Sequence, residues 1–330
     1  MTTLWDTTGT AVVKALAAER RTGGAVTSGL ALTLVIVVDE KDVIGAEMAA
    51  TLAASRHPMR SLMVIRRQID APVPRLDAEV LIGGRLGPGE AVVMRMYGRL
   101  ALHAESVTLP LLAPDAPVVT WWHGPPPDRI SYDPLGVFAD RRITDVARAA
   151  DRVPALRQRA ADFAPGDTDL AWTRITGWRA ALASAFDGGP GTPTWATVDG
   201  DDSDPSALLL AGWLSSRLGF YVPVRRGSGA LAIREVTIGL HDDTSIQAAR
   251  EGSRMVLRRA GQPDSVAPFP ERSAGELLAE ELRRLDADRV YAEALGAVTG
   301  TSGLADRPAK RVHIWNDPAL AGGQHERSTT

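Results

Sequence analysis

Arg141 and Arg142, with Asp140 and Asp145 beside them in DRRITD, are the first residues whose types could do chemistry. Two adjacent guanidiniums can grip a phosphate bidentately, and the same residues serve equally in salt bridges at a surface or between domains. Trp172, Arg174, Trp178 and Arg179 form a second group, of the residue types that dominate binding hot spots. Asp199, Asp201, Asp202 and Asp204 suggest calcium, but the position where an EF-hand needs a bidentate Glu holds Leu210, which favours a solvated loop feeding a helix cap. The histidines, at 57, 103, 123, 241, 313 and 325, show no i, i+4 pairing and no HExxH, so they do not read as a zinc site. Gly83 to Gly89 and Gly227 to Gly229 lie between predicted strands, not in the strand-turn-helix order of a phosphate cradle, and G-x-S-x-G is absent.

These residues need elements to position them. Pro117 to Trp122 is an apolar, β-branched and aromatic run of strand length that predicts a buried strand. Trp121 and Trp122 are adjacent and must face opposite sides of a sheet, one indole in the core and the other under a helix or at a surface. Upstream, Thr8 to Arg21 predicts an amphipathic helix ended by Gly23 and Gly24. Leu30 to Val38 predicts a strand, Asp42 to Ser55 a helix with Val43, Met48 and Leu52 facing inward, and Ser61 to Arg66 a second strand. That β-α-β unit makes a parallel pair. Alternation in Val80 and Ile82 against Val92, Met94 and Met96 predicts a hairpin, and Gly98 to Pro110 a helix.

Asp140 to Val146 reads as a short strand or a helix start, and Pro154 to Phe163 as a helix. Asp167 and Asp169 suit the start of the next helix. Its stripe of Ala171, Ile175, Trp178, Leu182, Ala185 and Phe186 predicts one continuous element, with Trp178 in the core, Trp172 and Arg179 off the stripe, and a close neighbour at Gly177. Beyond Gly188 the pattern restarts with a strand at Trp195 to Val198 and a helix opened by Asp204-Pro205 and running to Leu218. Strands follow at Tyr221 to Val224 and Leu231 to Leu240, then a hairpin within Ser245 to Arg259. Ser273 and Glu276 make a capping box for a helix carrying Leu277, Leu278, Leu282 and Leu285, with a shorter helix around Val290 to Leu295.

The expected fold class is α/β, in two α/β domains: an N-terminal one over 1–165 with a mixed sheet containing the β-α-β unit and the hairpin, and an α+β-like one over 166–298 with flanking helices. Residues 299–330 are polar and Gly/Pro/Thr-rich and read as a disordered tail. With a net charge of −3, 34 arginines and three lysines spread along the chain, no nucleic-acid footprint appears. Cysteine is absent, which excludes disulfides and a thiol switch in this chain. Leu30 to Val38, the longest apolar run, is too short to span a bilayer and leads into Asp39, Glu40, Lys41 and Asp42 instead of a cleavage site, so the expected location is the cytoplasm.

Five long segments in one order carry a resemblance: LPLLAPDAPVVTWW (109–122), DPLGVFADRRITD (133–145), PGDTDLAWTRITGWRAALASAF (165–186), LLAGWLSSRLG (209–219) and LLAEELRRLDADRVYAEAL (277–295). Together with HPMRSLMVI (57–65) they resemble the OpcA family of glucose-6-phosphate dehydrogenase assembly proteins, collinearly from about Ala11 to Leu295. The resemblance implies a non-catalytic partner that binds that dehydrogenase and promotes its active oligomer at the entry to the oxidative pentose phosphate pathway. It implies no cofactor, no metal and no catalytic residue. Some relatives are associated with redox control through cysteines; with none here, any redox sensitivity would reside in the enzyme. Residue type and resemblance nominate Trp121, Trp122, Arg141, Arg142, Asp169, Trp172, Arg174 and Trp178 as partner-interface candidates. The competing expectation is an enzyme or sensor holding a sugar phosphate or nicotinamide nucleotide at an interdomain Arg141/Arg142 site, since α/β sheets place ligands at strand ends.

Overall fold

A computed structural model describes residues 1–22, 29–83, 86–189, 191–227 and 231–308. In chain order these form β1 (Thr2–Leu4), α1 (Gly9–Thr22), β2 (Leu32–Asp39), α2 (Val43–Arg56), β3 (Met59–Arg66), β4 (Arg75–Ile82), β5 (Glu90–Tyr97), α3 (Glu105–Thr108) and β6 (Val118–Trp122). Then come α4 (Pro134–Val137), β7 (Arg141–Thr144), α5 (Arg152–Asp162), β8 (Asp167–Asp169), α6 (Leu170–Arg174), α7 (Thr176–Ser184), β9 (Pro193–Gly200) and α8 (Pro205–Leu218). The chain continues through β10 (Val224–Arg226), β11 (Ile233–Leu240), β12 (Ser245–Glu251), β13 (Arg254–Arg259), β14 (Ser265–Pro268), α9 (Ala274–Glu281) and α10 (Arg289–Thr299).

The first sheet has eight strands in the order β1-β4-β5-β3-β2-β6-β7-β8. Its middle is the expected β-α-β unit, with β2 parallel to both β3 and β6, and the expected hairpin pairs Val80 with Val92. Strands buried on both faces read as mainly apolar runs, as residues 34–38 of β2 and 62–65 of β3 do, while Arg60 at the start of β3 is buried against Glu90. One face packs on α2 and α9 and takes Trp121; the other packs on α1 and the segment around α3 and takes Trp122. The opposite orientation of the two indoles follows the alternation of the strand, and both are core.

The second sheet runs β10-β9-β11-β12-β13-β14, antiparallel except for the β10–β9 pair. Val198, Val236, Ala248 and Leu257 fall in one cross-strand row and face α7, α8 and α10. Helix α8 begins as its sequence dictates, with Asp204 accepting from the Ser206 N–H and Pro205 in the first turn, and ends at Gly219 in the left-handed region.

The two halves interlock. β8 lies past residue 165 yet completes the first sheet, and α5, from before it, packs Leu156 and Ala160 into the second core. Returning the favour from the far end, α9 packs Leu277, Leu278 and Leu282 into the first core.

Several local expectations change. Helix α2 buries Ala46, Ala49, Ala50, Ala53 and Ala54 instead of Met48, which is exposed, while Val43 and Leu52 are partly buried. The reason is close approach: a Cβ at Gly275 of α9 would lie 3.0 Å from the Ala49 carbonyl and 2.9 Å from Leu52, a spacing that only small side chains on α2 permit. The expected continuous helix over 171–186 breaks at Ile175, whose φ of −92° and ψ of 6° divide α6 from α7. Gly98 to Pro110 is likewise a series of short 3₁₀ and α turns. Helix α9 is capped by the reciprocal Ser273/Glu276 box but stops before Leu285. Past Thr299 the chain keeps contact with the fold: Leu304 is buried and Arg307 donates to the carbonyls of Ala160, Ala161 and Phe163. The rest of the expected tail, 309–330, and Gly23 and Gly24 lie outside the described residues.

Candidate functional site

β7 is flanked by β6 and β8, so its alternating side chains are carried into the interior on both faces. Arg142 is fully buried against Asp167, with Nη1 donating to the Ala139 carbonyl at 3.1 Å and Nη2 to the Pro165 carbonyl at 2.8 Å. Burial pushes the Asp167 carboxyl up, and the Arg142 charge opposes that. Arg141 points to the other side, where it pairs with Glu281 of α9 and donates from Nη1 to the Asp286 carbonyl at 2.8 Å. The Thr173 hydroxyl donates to the second Glu281 oxygen at 2.6 Å. One buried carboxylate thus joins β7, α6 and α9.

Asp169 caps α6 by accepting from the Ala171 N–H at 2.8 Å, and also accepts from Thr144 Oγ1 at 2.6 Å and the Val146 N–H at 3.0 Å. Burial and the neighbouring Asp145 push its carboxyl up to about 6. Arg174 makes a two-point contact with Asp145, both bonds 2.7 Å. Trp172 donates from Nε1 to Asp288 at 2.8 Å, lies 5.8 Å from the Tyr291 ring centre and carries the Arg179 guanidinium 3.6 Å above its own. The segments that carried the family resemblance therefore meet one another inside the molecule.

This placement corrects the surface reading. Trp121, Trp122, Arg141, Arg142, Asp169, Trp172 and Trp178 are all buried, and only Arg174 keeps partial exposure. Arg141 and Arg142 are engaged by carboxylates and carbonyls, which leaves no geometry for an incoming phosphate. Glu281 and Asp288 were not among the nominated residues. Glu281 had a readable signal: it follows Leu277 by four and Leu278 by three, so a carboxylate sits on the apolar stripe of its helix and must find a buried partner.

In a doubly wound sheet the ligand crevice lies where successive strands go to opposite sides, here at the ends of β2 and β6. His123, just past β6, fills that place. Its ring lies edge-on to Trp121 at 4.7 Å between centres, and its Nε2 would be 3.3 Å from a Cβ at Gly45 in the first turn of α2. Burial, then the Arg148 charge, lower its pKa to about 4 and keep it neutral at pH 7. Asp39, Glu40 and Asp42 surround the start of α2, with Glu40 paired to Arg67 and Asp42 to Arg148. A neutral ring and three carboxylates occupy the position where a phosphate would need donors and positive charge. Among the described residues no three His, Asp or Glu side chains gather as a metal site.

The second sheet offers a different kind of surface. Its helices cover one face, leaving rows of Trp195, Gly239 and Ser245; Thr197, Thr237, Gln247 and Arg258; and Asp199, Glu235, Ala249, Val256 and Val266 on the other. The Trp195 indole lies over Gly239, where any side chain would collide with it, and is 50% exposed; Val266 is 55% exposed. Thr197, Thr237 and Gln247 make an uncharged stretch across β9, β11 and β12, with Arg258 beside it on β13 and Asp199 and Glu235 in the next row.

Residues 50–161 match the family model described as the glucose-6-phosphate dehydrogenase subunit N-terminal domain, and residues 165–295 the corresponding C-terminal domain. The chain belongs to the OpcA family. A curated OpcA relative, the putative OxPP cycle protein OpcA of Synechococcus elongatus, is 28% identical over 153 residues, covering 43% of this chain. This OpcA-family chain spans about a third of that relative's length, 34%. Among solved structures, the super-repressor mutant of Gal80p from Saccharomyces cerevisiae is 8% identical, with 76% of this chain and 82% of that one covered and a TM-score of 0.34. An NAD binding oxidoreductase from Klebsiella pneumoniae is 10% identical, with 83% and 90% covered and a TM-score of 0.34. At that score neither likeness bears on function.

Proposed function

We propose that this chain is a non-catalytic subunit that binds glucose-6-phosphate dehydrogenase in the cytoplasm and favours its active oligomer. The observation that carries the reading is the match of both halves to domains described as parts of a subunit of that enzyme. Two features of the geometry support it. The switch-point crevice is closed by His123 and bordered by carboxylates, and the outer face of the second sheet is left uncovered by the helices, with Trp195 and Val266 exposed on it while Ala249 and Val256 are buried. Its four central strands, six to eight residues long and about 4.8 Å apart, with the short β10 and β14 beside them, make that face roughly 25 by 20 Å, below the ~800 Å² per partner of a standard interface but large enough for its core. An uncharged stretch of Thr197, Thr237 and Gln247, with the exposed Trp195 in the row at one side and Asp199, Glu235 and Arg258 around it, fits the anatomy of such contacts. We assign this face as the surface on which the dehydrogenase docks.

An effector shifts an oligomer equilibrium only through differential affinity, and a 10-fold shift needs about 1.4 kcal/mol of coupling. The test is to titrate the chain into a fixed amount of its own organism's dehydrogenase and follow NADP⁺ reduction across substrate concentration. A saturable rise in kcat/KM is expected, with no turnover by the chain alone. An unchanged rate at concentrations well above micromolar contradicts the reading.

A further inference from the structure

We propose that a cavity between α7 and the β14–α9 connection binds a small phosphorylated molecule, at a site unrelated to the buried Arg141/Arg142 pair. The cavity has a volume of about 450 Å³, in the range of small-molecule sites. Arg174, Arg250 and Arg272 line it, with Glu271 the acidic residue among its walls. The counterions of two of these cations lie outside the lining: Arg174 is held by Asp145 and Arg272 by Glu280.

Arg250 differs from both. Its Nε donates to the Gly252 carbonyl at 3.1 Å, and among the described residues neither terminal nitrogen has an acceptor. The half-buried guanidinium stands 5.8 Å from the centre of the Phe269 ring. Phe269 in turn packs on Gly177 and lies 5.6 Å, edge-on, from Trp178. Arg250 and the first turn of α7 therefore flank one aromatic ring on the cavity wall.

That first turn adds donors. Helix α7 has no side-chain cap, and its residues Thr176, Gly177 and Trp178 line the cavity. A free guanidinium edge matches phosphate oxygens bidentately, and uncapped N–H groups complement the same charge. Ile175, Trp178, Ile233 and Phe269 supply apolar walls for a body larger than the phosphate. The chemistry fits a phosphate monoester on a sugar-sized frame. The proposal stands apart from the dehydrogenase reading, because the isolated chain is what must bind.

The test uses glucose 6-phosphate, glucose and inorganic phosphate as probes, by calorimetry and by amide NMR of the isolated full chain. Expected are saturable binding of the phosphate ester, no binding of glucose, several-fold weaker binding of inorganic phosphate, and movement of the Gly177 amide resonance. Arg250→Gln, with circular dichroism unchanged, should weaken binding about 10-fold or more. Should that variant fail to fold, the Gly177 resonance of the unaltered protein decides. A Gly177 signal that stays still up to ~10 mM ester, weaker than useful site affinities, overturns the proposal, as does full-strength binding by folded Arg250→Gln. Equal affinity for inorganic phosphate overturns the assignment of a sugar-sized ligand.

Discussion

The Arg141–Glu281 pair gives the sharpest test of the interior. Replacing Arg141 with Met leaves the Glu281 carboxylate, 7% exposed, with only the Thr173 hydroxyl as partner. Removing one member of a buried pair costs about 3–5 kcal/mol, most of it from the uncompensated charge left behind. Glu281→Gln alone strands the Arg141 guanidinium with the Asp286 carbonyl and should cost about as much. The double variant Arg141→Met/Glu281→Gln buries no lone charge and keeps an acceptor for Thr173. It should therefore cost less than either single change, the opposite of additivity. Urea unfolding followed by both tryptophan fluorescence and far-UV circular dichroism reads the series, and each single variant should lower the midpoint by about 1 M or more. A single variant costing below about 1 kcal/mol, or a double equal to the sum of the singles, refutes the buried coupling of β7, α6 and α9.

Other expectations address the surface, the crevice and the close packing. Trp195→Asp, on the outer sheet face, should weaken dehydrogenase binding at least 10-fold while costing only about 1–2 kcal/mol of stability, because half of the indole is buried over Gly239; binding and melting curves on the same preparation check both. Lowering of the His123 pKa from about 6.5 to about 4 means that the unfolded chain takes up a proton before the folded one, so this residue's contribution is fully present above pH 6.5 and falls away towards pH 4. The loss is up to about 3 kcal/mol. Asp169, raised to about 6, acts in the opposite direction between about 3.8 and 6, so the difference between wild type and His123→Gln, in which Asp169 cancels, isolates the histidine. A difference independent of pH contradicts the placement of His123. Gly177→Ala gains about 1 kcal/mol of helix propensity but drives a methyl into Phe269, and overpacking of about 1–3 kcal/mol should win, giving a lower melting temperature.

Much of the fold was legible because the determining signals are local. Asp204-Pro205 and the Ser273/Glu276 box start their helices where the sequence places them, because a cap needs only residues within one turn. Adjacent Trp121 and Trp122 face opposite cores because a strand alternates. The close neighbour expected at Gly177 is Phe269, although nothing local could name it. What failed depended on distant chain. Helix α2 turns its alanines inward because α9, more than two hundred residues away, needs close approach at Gly275. Arg141, Arg142 and Trp172 have the residue types of a binding surface, and their types alone did not reveal that Glu281, Asp167 and Asp288 would reach them inside the molecule. The outer face is carried by plain residues, Thr197, Thr237 and Gln247, whose common side is set by strand register between segments far apart in sequence.

The central claim is tested most directly by sizing with light scattering on the chain mixed with its own organism's glucose-6-phosphate dehydrogenase, with each fraction assayed for NADP⁺ reduction. A shared peak of raised specific activity, lost with Trp195→Asp, is the predicted result. Separate peaks and unchanged kinetics with substrate present, at concentrations well above micromolar, would contradict it.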